Sequence, residues 1–498
     1  MSQLPPPPPP DGSWPSLPPP PPRAEPPARS RALVALGVVV AGLVVLGLVA
    51  GVTRLLGPDG PDHPDEWDPR VAGLAAFVER ARGLDFDHPV HVDFLTPAEY
   101  TELTTEDEAD ASDEDREDLD RYAAELRALG VASGEIDLFE VLNQVADGGT
   151  LAFYDPDDAR VRVRGTEMSV GLEVTLVHEL THALQDQHFD LTRVLSREDD
   201  DDDAASAFRA LAEGDASRVE DDYVAQELTA DQQEEYDTEF AEELLESEAA
   251  TEDVPPFVSA TFAAPYALGQ PFARMLLNVD GNAEVDAAFE DPPTTEEHLF
   301  DPVSFLADED VESDLDLGFA DEEELFDESS FGATTWYLVL AERIEPKAAF
   351  EAALGWAGGR FAAVERDGIT CVRAAFAGDT EDDEREMTAA LEDWLDAMPG
   401  DAARLEEIDG RPVLDACDPG EAVDLELTGR SERTLFLPSL WGYLVADAVS
   451  VLDPDEARCY GRRVLDGLTF EQIADPEGAA FAEEGFRDRL QKALAACR

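Results

Sequence analysis

His178-Glu179-Leu180-Thr181-His182 places two histidines four residues apart, with a glutamate directly after the first. On a helix, positions i and i+4 stand one above the other on a single face. Both imidazoles can then ligate one zinc ion, Zn2+, at about 2.0–2.1 Å. Glu179 comes within reach of a water in the open metal position. Zinc lowers the pKa of such a water toward roughly 7 and the glutamate takes its proton, the arrangement by which zinc metalloproteases hydrolyse peptide bonds. The chain has only seven histidines. Simple frequency multiplication gives a chance HExxH a probability of about 0.01 in this composition. The rival reading is two exposed histidines on a surface helix.

A third metal ligand can come by two routes. Glu213 lies in Ala210-Leu211-Ala212-Glu213-Gly214-Asp215-Ala216, on a second expected helix beginning near Ala204. A carboxylate in an apolar, alanine-rich stretch needs a partner, and a metal would be one. The other route is His188, which completes HExxHxxxxxH. That pattern needs the helix to break at its eighth position, where glycine permits a left-handed turn. Gln185 stands there. In an unbroken helix His188 lies about 240° around the axis from His182 and points away. Glu213 is therefore the favoured ligand.

The elements that must position these groups are legible nearby. Residues 150–154 and 161–164 read as two short strands, with Asp155-Pro156-Asp157-Asp158 as the turn between them. Thr166 and Ser169 are candidate N-caps for a helix from about Val170 to His188. Its apolar stripe is Leu172, Leu176, Val177, Leu180, Ala183 and Leu184. An earlier helix is expected from about Val71, followed by a strand at 91–95. Farther on, helices are expected at 333–343 and 380–397, a glycine-rich turn at 355–360 and a strand around Cys371. The last 70 residues read as short strands and helices.

The 498 residues suit two or three domains, and 44% apolar residues suffice for a core. There are 114 acidic against 35 basic residues, for a net charge of −79. Only Lys347 and Lys492 are lysines. Such a surface repels phosphate, so nucleic acid is excluded as a default partner. Self-repulsion of this size is better tolerated when screened, which points to a saline habitat. Acidic runs at 105–120, 198–203, 230–253 and 308–328 lack the D-x-D-x-D-G spacing of a calcium loop and read as solvated faces.

Residues 1–31 carry two proline runs and read as an extended cytoplasmic tail. Ala32 to Val52 holds no charged or strongly polar side chain. Its 21 residues span roughly 30 Å as a helix, one hydrocarbon thickness. Arg23, Arg29 and Arg31 precede it, while acids dominate after Arg54. The positive-inside rule puts the N-terminus in the cytoplasm and the rest outside, in a single-pass cell-membrane protein. A cleaved signal peptide would have a shorter apolar region nearer the terminus. All four cysteines fall in the outer part, which suggests two disulfides. Sequential pairing, 371–417 and 459–497, needs the fewest crossings.

VHELTHALQDQHFDL (177–191) together with ALAEGDA (210–216) resembles a family of bacterial zinc-metallopeptidase-like proteins of the gluzincin type. The resemblance extends to AFYDPDDARVRVRG (152–165), FAAPYALGQPF (262–272), PPTTEEHLFDP (292–302) and LGWAGGRF (354–361), covering about residues 71–380. It implies His178, His182 and Glu213 as zinc ligands and Glu179 as the base. It also implies a histidine just before the last proline of 292–302, where Asp301 stands; His298 lies three residues earlier. Tyr266 and His298 are candidate oxyanion donors.

The expected fold class is α+β, a zincin-like metalloprotease domain. In that fold an edge strand before the active-site helix takes a peptide by strand addition, and 161–164 is the candidate. The expected organisation is a tail (1–31), a transmembrane helix (32–53), a linker (54–70), the metallopeptidase-like domain (71–425) and a small C-terminal module (426–498). The partner expected is a peptide or protein substrate. The rivals are a catalytically idle zinc-bearing surface protein and a structural envelope protein.

Overall fold

A computed structural model of the chain describes residues 62–498, apart from 106–110, 149–150, 193–201, 252, 308–314, 320–322, 324, 401, 476–478 and 483. The expected tail, the 32–53 segment and most of the linker lie outside the described residues. Among the described residues no helix is long and apolar enough to cross a membrane. Helices of eight residues or more are numbered below.

The N-terminal half opens with α1 (Ala72–Arg82), β1 (His91–Leu95), α2 (Pro97–Thr104), α3 (Asp113–Ala128) and α4 (Leu138–Gly148). A hairpin follows, β2 (Ala152–Asp155) and β3 (Arg160–Arg164). Its turn is fixed by Asp155 Oδ1 accepting from the Asp157 N–H at 2.9 Å. Along β3, Val161 and Val163 are buried while the alternating arginines are half-buried, the period-2 pattern of a one-sided sheet. β1 pairs parallel to β3, and β2 antiparallel, so the sheet order is β1-β3-β2. This corrects the expectation for 161–164: that strand is central, with both sides paired, and the edges are β1 and β2.

α5 (Val170–Phe189) packs its Leu172, Leu176, Val177, Leu180 and Leu184 stripe in one core with Val161 and Val163. Ser169 caps it by accepting from the Leu172 N–H, and Asp190 ends it in the left-handed region at φ 56°. The helix runs unbroken past Gln185, as its helix-forming neighbours require. α6 (Asp202–Gln226) and α7 (Ala230–Ala250) come next, then the long apolar α8 (Pro256–Asp280) and α9 (Asn282–Glu290). α6 packs between α5 and α8. The approach to α8 is close because two glycines meet. A Cβ on Gly214 would stand 2.1 Å from the Gly269 carbonyl oxygen, and one on Gly269 would stand 2.0 Å from that of Ala210.

After short helices at Glu297–Phe300 and Pro302–Ala307 comes a five-stranded antiparallel sheet with α10 (Ala333–Arg343), α11 (Pro346–Leu354) and α12 (Glu381–Ala397). Its strands are β4 (Leu325–Ser330), β5 (Trp356–Arg366), β6 (Ile369–Gly378), β7 (Ala403–Ile408) and β8 (Arg411–Cys417), in the order β4-β5-β6-β8-β7. Of the glycine-rich 355–360 segment only Gly355 is turn; from Trp356 on it is strand. Gly359 is required there because a Cβ would come within 2.1 Å of the Phe331 carbonyl oxygen.

Beyond residue 425 the described residues form helices only, including α13 (Phe436–Ala448), α14 (Pro454–Leu465) and α15 (Glu484–Ala496), where strands were also expected. Leu437, Trp441 and Val445 share one core with Phe350 and Trp336, so the core does not break at 425. Both disulfides form as expected: Cys371–Cys417 joins cross-strand neighbours on β6 and β8, and Cys459–Cys497 ties α14 to the chain end. The chain is thus a mixed helix and strand protein.

Candidate metal centre

α5 presents His178 and His182 on one face, and α6 crosses it carrying Glu213. His178 Nε2 lies 3.1 Å from Glu213 Oε2 and 3.0 Å from His182 Nε2. His182 Nε2 lies 3.3 Å from the same carboxylate oxygen. All three side chains are buried and form a group that could hold a metal ion.

The outward ring nitrogens decide what the inward ones can do. His178 Nδ1 lies 3.2 Å from Glu220 Oε2, an acceptor, so Nδ1 carries the proton. His182 Nδ1 lies 3.0 Å from Gln185 Oε1. The orientation of that amide is fixed, because its Nε2 donates to the Ala212 carbonyl at 3.1 Å and to Asp215 Oδ2 at 2.9 Å. His182 therefore donates from Nδ1 as well. Both Nε2 lone pairs then face the Glu213 carboxylate. Lone pairs turned to a carboxylate attract a positive charge, a proton on Nε2 included: burial works against charge on His178, but hydrogen bonds with Glu213 and Glu220 outweigh it and raise its pKa well above the ordinary value. Three converging lone pairs of this kind call for a cation.

The donor set fits zinc. Tetrahedral ligands at 2.0–2.1 Å stand roughly 3.3 Å apart, and the observed separations are 3.0, 3.1 and 3.3 Å. Each histidine has its second nitrogen tied to a protein acceptor, the support that metal-binding imidazoles usually have.

Glu179, the expected base, lies beside the group. Its Oε2 accepts from the Tyr154 N–H on β2 at 2.7 Å. Burial pushes its pKa up to about 7, against the pull of both histidines. Tyr154 is held in turn by its hydroxyl, which donates to Asp186 Oδ2 at 2.8 Å. The sheet edge nearest the site is thus β2, fastened to α5 at two points.

Of the two candidate oxyanion donors, the structure brings one to the site. The Tyr266 ring stacks over His178, with centroids 6.3 Å apart. Its hydroxyl is buried, and burial followed by the nearby Glu213 carboxylate raises its pKa. His298 is buried against Phe305 instead and is not part of the metal group. Asp301 pairs with Arg458 at 2.6 Å. His188 sits exposed on the last turn of α5, its Nε2 2.9 Å from the Asp85 carbonyl, so it serves as a tether between α5 and the loop before β1.

Several residues not singled out by sequence complete the site. Glu220 accepts from the Tyr236 hydroxyl at 3.3 Å as well as holding His178. Asp215, behind Gln185, is paired with Arg82 at 2.8 Å and Arg218 at 2.6 Å, and Arg82 reaches on to Asp286 at 2.7 Å. Glu220 is seven residues beyond Glu213, two helical turns along the same face. That periodicity is the signal by which the sequence marks it.

No family model, curated protein or solved structure matches the chain.

Proposed function

We propose that this chain is a zinc-dependent peptidase of zincin type, anchored in the cell membrane by residues 32–53 with its catalytic part outside. The observation that carries the reading is the pair of imidazoles held by Glu220 and Gln185 so that both Nε2 atoms face Glu213, with the buried Glu179 alongside. His178, His182 and Glu213 would hold the ion. Bound zinc supplies a Lewis acid that polarises a carbonyl and acidifies water.

The chain's own residues supply the rest. The Tyr154 N–H fixes the Glu179 carboxyl, whose pKa of about 7 suits it to accept and return a proton near neutrality. β2, as the sheet edge beside α5, takes the peptide-aligning role expected of 161–164. Burial keeps bulk water from the group and strengthens each electrostatic contact within it.

The test is metal content and hydrolysis of an unfolded protein substrate by the full chain in molar salt. About one zinc per chain is expected. It should be lost in Glu213→Ala and kept in His188→Ala, with turnover abolished but zinc retained in Glu179→Gln. Zinc without turnover would leave an idle surface protein. No zinc after reconstitution would sink the proposal.

A further inference from the structure

Arg209 is the feature of this site that neither the metal nor the base explains. It lies on α6 one turn before Glu213, on the helix face that also carries Ser206, Glu213 and Glu220. Ser206 donates to Glu296 at 2.9 Å, so Arg209 stands between that contact and the metal group. The next residue, Ala210, touches Gly269 of α8, and Tyr266 lies one turn before Gly269. Arg209 and Tyr266 thus flank Glu213 from two helices, and both Tyr266 and Glu213 act on the Arg209 charge.

Both side chains have buried donors that nothing accepts. Arg209 Nε and the Tyr266 hydroxyl are shielded from solvent without a hydrogen-bond partner. The Glu213 carboxylate approaches the hydroxyl but does not meet bonding geometry. This is unusual in a chain with 114 acidic residues. The fully buried arginines are paired with carboxylates, Arg82 with Asp215 and Asp286, Arg127 with Asp418, Arg373 with Asp415 and Glu406, and half-buried Arg343 donates to the Gly130 and Leu425 carbonyls. No carboxylate pairs with Arg209 among the described residues. Glu213 does not fill the role, because its charge is turned to the two histidines. Arg209 is half-buried with its Nε shielded, and a guanidinium partly withdrawn from water gains from an anion that meets it; its planar fork matches a carboxylate with two parallel bonds.

We propose that Arg209 and Tyr266 form the substrate-carboxylate subsite of this centre, so that the bond cut lies next to a free C-terminus or an acidic side chain. The inference rests on the peptidase reading and adds its substrate class. It also accounts for an isolated cation in so acidic a protein. The net charge of −79 repels an anionic peptide at long range, salt screens that repulsion, and a local cation must supply the attraction at contact.

The experiment uses the zinc-loaded full chain carrying Glu179→Gln, which binds without turnover. Calorimetry in molar salt compares tetra-alanine with a free C-terminus, its C-terminal amide, and an amidated peptide with one internal aspartate, each N-acetylated. The expected result is roughly 10- to 100-fold tighter binding of a carboxylate-bearing peptide than of the neutral amide. Preference for the free acid assigns an end-of-chain carboxylate, and preference for the aspartate peptide assigns a side chain. Adding Arg209→Ala should erase the preference with zinc content unchanged, and Arg209→Lys should restore part of it. Equal binding of acid and amide, binding of none of the peptides, or a preference that survives Arg209→Ala overturns the proposal. Failure of the peptidase reading looks different: carboxylate preference intact, but no hydrolysis by the parent chain.

Discussion

Glu220 Oε2 lies 3.2 Å from His178 Nδ1, on the side of the ring opposite Glu213. It sets the tautomer and the ring angle of the first expected zinc ligand without touching the ion. Partners of this kind typically contribute 10- to 100-fold in metal affinity. Glu220→Ala should therefore weaken zinc binding by about that factor in a chelator competition, while Glu220→Gln, which can still accept from Nδ1, should lose less. Equal affinity in the parent and the alanine variant would show that the contact is incidental.

Arg82 comes from α1, far from the HExxH helix in sequence, yet its buried guanidinium pairs with the fully buried Asp215. Asp215 also holds Gln185, which orients His182. Arg82→Met leaves that carboxylate with Arg218 as its one remaining cation. Removing one partner of a buried pair costs about 3–5 kcal/mol. Chemical denaturation should show a loss of that order, and zinc affinity should fall with it. A stability change below about 1 kcal/mol would mean that Arg218 alone suffices.

The crossing of α6 and α8 depends on Gly214 and Gly269. A methyl on Gly214 would have to displace backbone, since it would meet the Gly269 carbonyl at 2.1 Å. Overpacking of this kind costs about 1–3 kcal/mol or more. Glu213 is the adjacent residue, so Gly214→Ala should lower both Tm and zinc affinity. Gly73→Ala is the control: it has nothing within 4 Å and should be neutral or slightly stabilising.

The part of the site that follows local spacing is legible in the amino-acid sequence. His178, Glu179 and His182 need only helical geometry, and Ser169 only a capping position. Glu213 is legible as a charge in an apolar stretch, although its rival His188 is ruled out only by α5 continuing through Gln185. What the sequence hides depends on distant partners. Residues 161–164 resemble an edge because β1, which covers their other side, lies some 70 residues earlier. The glycines at 355–360 resemble a turn, yet Gly359 serves close packing within a strand. Arg209 resembles one more surface cation, and its lack of a carboxylate partner among the described residues is visible only once α6 and α8 are docked.

The net charge of −79 makes stability depend on screening. The Debye length falls from about 10 Å at 0.1 M salt to about 3 Å at 1 M. Like charges spread over the surface then stop opposing compaction. The Tm of the full chain should rise across that range. A Tm that stays level would show that the acidic surface is not a burden in dilute salt, and would remove the argument for a saline habitat.

Glu125 gives a pH test away from the metal group. Burial on α3, then the Asp327 carboxylate on β4, pushes its pKa from 4.5 up to about 8. The sign follows from linkage. Below the unfolded value both states hold the proton, and Glu125 imposes no penalty. As pH rises past 4.5 the unfolded chain ionises first, so stability falls progressively until the folded group ionises near 8. Each pKa unit corresponds to about 1.4 kcal/mol, reduced where solvent reaches the pair. Glu125→Gln keeps a donor for Asp327 and removes the titration. The variant should match the parent near pH 5 and become progressively more stable than it toward pH 8.5, measured by denaturant midpoints in molar salt. A difference that does not change with pH would mean that Glu125 ionises in the folded state as readily as in the unfolded chain.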